Sequence, residues 1–245
     1  MPVALVTGAS RGLGRAIALG LGGAGYDVAA GYRANKEAAE GVVAELEAVG
    51  RRSVAVVGDV ADAATCARLV DETVARLGRI DVLVANAGGA VFGAFLDTDA
   101  DVYDQQQRTN ARSSFLLARA AAERMIEQGD GGRIIFVTSE AADLATEGLT
   151  AYCASKAAQK MVMKCAAIEL APQGITVNAV APGTIETDSN RHLLAEAELR
   201  ETLLGSALLD HVGTPDDIAA AAVYLAGAEH VTGCTISVNA GSLML

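Results

Sequence analysis

Tyr152 and Lys156 stand four positions apart, and Ser139 lies thirteen residues upstream of the tyrosine. On a helix, positions i and i+4 share a face, so an ammonium can sit beside a phenol and favour its ionised form. That is the chemistry of an acid poised for proton transfer. A phenol without such a neighbour has a pKa of about 10 and exchanges protons sluggishly near pH 7. Ser139 as an acyl-transfer nucleophile is excluded, because Gly-x-Ser-x-Gly is absent and no histidine stands near it in a triad-like arrangement.

The elements that must position these groups follow from composition and periodicity. The chain has 245 residues, 51% of them hydrophobic, with 26 glycines and 4 prolines. No linker or repeat interrupts it, so residues 1–245 read as a single domain. A net charge of −11 repels polyanions, which speaks against nucleic acid and anionic membrane surfaces as partners. No uncharged apolar run reaches the roughly 18 residues that a spanning helix needs. Met1 to Thr7 lacks a basic flank and a cleavage site, and reads as a first strand rather than a leader. Cys66, Cys153, Cys165 and Cys234 are scattered and the three histidines are isolated. That pattern fits a reducing cytoplasm and no metal site.

Short β-branched runs alternate with segments of helical period, the pattern of an α/β, Rossmann-like, doubly wound parallel sheet of about seven strands with helices on both faces. The expected strands are Val3 to Thr7, Val28 to Gly31, Ser53 to Val57, Val82 to Ala85, Arg133 to Thr138, Thr176 to Val180 and Thr235 to Val238. The expected helices are Leu13 to Gly23, Asn35 to Val49, Ala63 to Leu77, Asp101 to Gln128, Thr150 to Leu170 and Pro215 to Ala226. Thr214, Pro215, Asp216 and Asp217 mark the start of the last one. Between the sixth strand and that helix, Thr184 to Val212 is a long connection, rich in leucines that include Leu199, Leu203 and Leu204, and is expected to be a lid.

On such sheets ligands bind beyond the carboxyl ends of the strands, so the residues there are the candidates. After the first strand, Gly8, Ser10, Arg11, Gly12, Leu13 and Gly14 lie in a G-x-x-x-G-x-G loop that opens a helix, where backbone and free N–H groups can meet a pyrophosphate. Tyr32 and Arg33 end the second strand without the acidic residue an NAD enzyme would place there. Arg33 and Arg11 can grip a 2′-phosphate, so the sequence prefers NADP (NADPH) over NAD. Asp59 and Val60 follow the third strand and suit an adenine amine; Asn86, Ala87 and Gly88 follow the fourth, where backbone must pass close to a flat ring or ribose.

These pieces, together with Asn110, Ser139, Tyr152-Cys153-Ala154-Ser155-Lys156 and Pro182-Gly183-Thr184-Ile185-Glu186-Thr187, resemble the short-chain dehydrogenase/reductase family along nearly the whole chain. The resemblance implies an NADP-dependent enzyme that interconverts a ketone or aldehyde and an alcohol by hydride transfer. Tyr152 would be the acid and base at the substrate oxygen, and Ser139 would hydrogen-bond the same oxygen. Lys156 would hold the ribose hydroxyls and, with the oxidised ring's positive charge, lower the phenol's pKa. Asn110 would bind a water that links Lys156 to solvent. Pro182, Gly183, Ile185 and Thr187 would cradle the nicotinamide, and the enzyme would be a homo-oligomer, a tetramer or a dimer.

The substrate is less determined. The family's 3-oxoacyl-acyl-carrier-protein reductase branch is similar in pattern and docks an acidic carrier. Here Glu127 to Gly132 and Pro172 to Gly174 lack the cations such docking would use, leaving Arg133. A sugar or polyol dehydrogenase is the other enzyme reading, and a dinucleotide sensor that performs no catalysis is the reading from a different class. Glu140, beside Ser139, either accepts hydrogen bonds from a hydroxylated or amine-bearing substrate or points to solvent. Thr184 joins it as a candidate substrate residue.

Overall fold

The computed structural model describes residues 1–188, 190–196, 204, 205 and 207–244. Seven strands form one parallel sheet: β1 (Val3–Val6), β2 (Asp27–Tyr32), β3 (Ser53–Val57), β4 (Val82–Ala85), β5 (Gly132–Val137), β6 (Ile175–Pro182) and β7 (Thr235–Val238). Their order is β3-β2-β1-β4-β5-β6-β7. The chain therefore runs outward from β1 in one direction and returns to place β4 on β1's other side. That reversal creates a crevice beyond the carboxyl ends of β1 and β4, the place where open α/β sheets bind ligands.

Both faces of the sheet are covered, which explains why the strands read as near-continuous apolar runs. Val3 and Leu5 join the cluster containing Leu69 of α3 (Ala63–Leu77), Met125 of α5 (Ser113–Gln128) and Met163 of α6 (Thr150–Leu170). Ala4 and Val6 point the other way, into Ile17 of α1 (Gly12–Gly23), Leu46 of α2 (Lys36–Ala48) and Ile218 of α7 (Pro215–Gly227). The period-2 alternation of a strand sorts one sequence run between two cores.

All seven expected strands form, with ends shifted by a residue or two. One expected helix does not form as a single piece. Asp101 to Gln128 is divided into α4 (Ala100–Gln106), a π-helical turn (Gln107–Arg112) and α5. The cause lies in side chains that compete for backbone: Ser114 Oγ donates to the Asn110 carbonyl at 2.7 Å, and the Asn110 amide is drawn towards Gly89. The wider turn lets Asn110 point inward where an unbroken helix would set a different phase, and such turns mark functional places in helices. The start of α7 forms as expected, with Thr214 and Asp217 in a reciprocal capping box. Hydrogen bonds from the Thr214 backbone and hydroxyl hold the Asp217 carboxyl below the usual carboxylate range.

The expected lid is described in part. Ile185 bridges Gly213, Arg191–Leu194 forms a short helical turn, and the Leu208 and Leu209 amides donate to the Ala240 carbonyl. Leu199 and Leu203 lie outside the described residues.

Candidate active site

The end of β5 and the start of α6 bring Ser139, Tyr152 and Lys156 together. Ser139 follows β5 in extended backbone, and its Oγ accepts the Ala141 amide at 3.1 Å. Ser139 also acts on the Tyr152 phenol, favouring its ionised form. Two residues earlier, the Val137 carbonyl accepts Lys156 Nζ–H at 2.9 Å. One strand end thus supports both members of the tyrosine and lysine pair. Lys156 Nζ lies 5.7 Å from the Tyr152 ring centroid and its side chain is buried.

The electrostatic balance differs from the expectation of a phenol whose pKa is lowered by its lysine. Burial pushes the Tyr152 phenol above its ordinary value; Ser139 works against that, while Cys153 and Glu140 add to it. Burial also lowers the Lys156 ammonium, to about 7. Both groups lose the stabilisation of water, and an ammonium that has partly lost its charge does little for a phenolate. In the cofactor-free protein the phenol keeps its proton.

Asn110 is fully buried. Its Oδ1 accepts the Gly89 amide at 3.0 Å, and its Nδ2 donates to the Gly89 carbonyl at 3.1 Å and to Ser155 Oγ at 2.9 Å. The side chain is therefore a brace between the π-helical turn, the loop after β4 and α6. A Cβ on Gly88 would come 2.6 Å from Asn110 Oδ1, so only glycine lets this loop lie against the brace.

The crevice at the tips of β1 and β4 has the shape of a dinucleotide cradle. A Cβ on Gly14 would meet the Gly8 carbonyl oxygen at 2.2 Å, so the first turn of α1 can pack on the β1 tip only as glycine. Arg11 stands at the start of α1 with no side-chain cap, and the helix's first N–H groups face outward for an anion. Thr7 clamps the neighbouring tip, its Oγ1 accepting the Asn86 and Ala87 amides at 3.1 and 3.0 Å while its carbonyl accepts Asn86 Nδ2 at 2.8 Å. A cavity of about 450 Å³ opens between Gly12, Arg15, Thr187 and Gly213. The glycine loop and the uncapped helix start fit the phosphates of a dinucleotide, whereas the cavity wall also carries Glu186, Asp188 and Asp216.

The other candidate positions divide into rim and core. Arg33 and Asp59 lie on the exposed rim, with Arg33 Nη1 4.0 Å from Asp59 Oδ2. Tyr32 and Val60 are buried instead, the former at the end of β2 where its carbonyl accepts the Gly58 amide at 2.7 Å. Beyond β6, the Gly183 amide donates to the Val238 carbonyl at 3.0 Å, and Ile185 is buried beside Gly213. The Thr187 amide donates to Asn190 Oδ1 at 2.7 Å, and the Thr184 carbonyl accepts the Gly213 amide at 3.1 Å. Glu140 turns inward: its Oε2 accepts the Ser242 hydroxyl and lies 3.1 Å from where a Cβ on Gly183 would be.

Sequence reasoning misses Gln106, Ser114 and Gln159 and gives Ser155 no role of its own; all four are buried and hydrogen-bonded around Asn110 and Lys156. A signal for Gln159 exists. It lies seven residues beyond Tyr152, on the stripe that the tyrosine and lysine already define.

The family model described as short chain dehydrogenase matches residues 2–198. The chain belongs to the short-chain dehydrogenase/reductase family. It is similar to the L-rhamnose 1-dehydrogenase (NAD(P)(+)) of Sphingomonas sp. (strain SKA58), 42% identical over 97% of this chain and 94% of that one. The 3-oxoacyl-[acyl-carrier-protein] reductase of Staphylococcus aureus (strain Mu50 / ATCC 700699) is 41% identical over 98% of both. Among solved structures, a short-chain dehydrogenase from Burkholderia cenocepacia J2315 in complex with NADP superposes with a TM-score of 0.92 at 36% identity, covering 98% of this chain and 97% of that one. This short-chain dehydrogenase/reductase is accordingly an oxidoreductase acting on CH–OH groups. Among the described residues no helix is long and apolar enough to cross a membrane, and no cluster of metal-binding side chains occurs.

Proposed function

We propose that this enzyme interconverts a hydroxyl-rich alcohol, of the sugar or polyol class, and its carbonyl form with NADP(H). The observation that carries the reaction is the meeting of the β5 end with the start of α6, where Ser139 acts on the Tyr152 phenol and the Val137 carbonyl holds Lys156 Nζ beside the Tyr152 ring. The nicotinamide, when bound, supplies the hydride in reduction and accepts it in oxidation. Ser139 Oγ–H holds the substrate oxygen, and Tyr152 gives its proton to that oxygen in reduction or takes it in oxidation. Lys156 binds ribose hydroxyl. Gly8 to Gly14 hold the pyrophosphate, Asp59 and Val60 the adenine, and Asn86 to Gly88 the adjoining ribose. Pro182, Gly183, Ile185 and Thr187 hold the nicotinamide.

Glu140 favours the hydroxyl-rich substrate. Its carboxylate is turned towards Gly183 and Ser242 and keeps lone pairs beyond the one Ser242 uses. The carrier-protein reading is weakened at the surface: Arg133, the cation left near the docking stretches, is 19% exposed and faces Glu229. A homo-oligomer in the cytoplasm completes the reading, supported by exposed apolar side chains on the helices, Tyr103, Phe115 and Ile168, and by four free cysteines.

The decisive experiment assays aldoses and polyols with NADP⁺ and NAD⁺, and 3-oxoacyl thioesters and simple ketones with NADPH and NADH. Turnover of the sugars above the other classes is expected. Turnover of the thioesters alone would establish the carrier-linked reaction, and tight NADPH binding without turnover of any class would establish a sensor. Arg33 tests the cofactor preference separately. Its surface pairing with Asp59 is weak and yields readily to a phosphate. Arg33→Asp is expected to shift the ratio of kcat/KM values from NADP towards NAD by about 10- to 100-fold; an unchanged ratio would show that Arg33 does not read the 2′-phosphate.

A further inference from the structure

Tyr152, Lys156 and Gln159 form one stripe on successive turns of α6. Gln159 is 1% exposed and Lys156 4%. Gln159 Oε1 accepts Lys156 Nζ–H at 3.0 Å, and Gln159 Nε2 donates to Ser114 Oγ at 2.7 Å. Ser114 in turn donates to the Asn110 carbonyl at 2.7 Å, in the π-helical turn. An ammonium carries three N–H donors in tetrahedral array. With two of them fixed by Val137 and Gln159, the direction of the third is fixed as well. A lysine stem has four rotatable carbons and no directional preference of its own, so that direction must come from its acceptors.

We propose that Gln159 is a positioning residue for Lys156: its amide, locked by Ser114 onto the Asn110 turn, holds Nζ so that one N–H remains aimed for the dinucleotide's ribose. This rests on the cofactor reading above. The geometry runs through backbone and side chains from three elements, and each polar atom of the Gln159 amide has a partner. A buried glutamine amide is stable only with both its polar atoms partnered, and here Lys156 and Ser114 are those partners. Tyr152 is the titratable group in ring contact with Lys156; Glu140 acts on Tyr152, and the π-helical turn, the β5 end and the Gly88 loop present neutral groups to the ammonium. Burial alone lowers the Lys156 ammonium to about 7. Removing an acceptor of the charged form lowers it further.

The chain has four lysines, Lys36, Lys156, Lys160 and Lys164, which makes lysine-selective NMR of the cofactor-free protein practical. The Lys156 resonance is the one absent from Lys156→Met. In Gln159→Met its titration midpoint is expected to fall by about one pH unit, and in Gln159→Glu, which keeps the acceptor and adds charge, to rise. NADPH is expected to bind Gln159→Met about tenfold more weakly at pH 7, with KM for NADPH changing more than kcat, and Gln159→Glu is expected to restore binding. A folded Gln159→Met with an unmoved Lys156 midpoint and unchanged NADPH affinity would overturn the proposal. If Gln159→Met does not fold, Ser114→Ala, which frees the Gln159 amide, must move the midpoint in the same direction, and an unmoved midpoint overturns it equally. The titration needs no cofactor, so a wild-type chain that binds no NADPH would overturn the cofactor reading on its own.

Discussion

Replacing Tyr152 with phenylalanine is expected to lower kcat by about 10² to 10⁴-fold while leaving NADPH affinity nearly intact. The substitution removes one oxygen and keeps the ring, so packing at the head of α6 is preserved. The kinetic loss is large because the phenol is the group that hands a proton to the substrate oxygen. Burial raises the pKa of that phenol, so the proton-donating form persists across neutral pH and reduction should decline only on the alkaline side. Single-turnover rates of NADPH oxidation in both proteins measure the effect. Near-normal turnover in Tyr152→Phe would sink the assignment.

Lys156→Met is expected to lower kcat/KM by about 10²-fold or more, since it removes the ribose anchor and with it the alignment of the reacting atoms. Its effect on stability runs the other way and depends on pH. The buried ammonium titrates at about 7 against an ordinary value of 10.5. Between those two values the unfolded chain binds a proton that the folded chain has released, so the stability of the wild type rises with pH across that window, by up to about 1.4 kcal/mol per pH unit. Below about pH 7 the cost of burying the charge is present in full; above about 10.5 it vanishes. Lys156→Met lacks this dependence. Urea unfolding of both proteins at several pH values between 7 and 10 reads it directly, and parallel slopes would show that Lys156 is not buried as a strained base.

The glycine loop was legible because backbone approach to a phosphate needs a missing Cβ, and Gly14 against the Gly8 carbonyl shows why. The Tyr152–Lys156 pair was legible because helical period alone places i and i+4 together. Tyr32 and Val60 are candidates because they flank strand ends, yet both side chains are buried. A strand-end position says where the backbone stops and leaves open which way the side chain turns.

The sequence by itself determined the alternation of strands and helices, the seven-strand sheet and the three groups available for proton transfer, because side-chain period and glycine placement are properties of neighbouring residues. Only the tertiary structure decided how those groups behave. The π-helical turn at Asn110, the Gln159 amide beside Lys156 and the meeting of Glu140 with Ser242, 102 residues away, all depend on contacts between distant elements. The protonation of Tyr152 and Lys156 depends on the same contacts, since desolvation is set by everything packed around a group and by nothing in its own four-residue spacing.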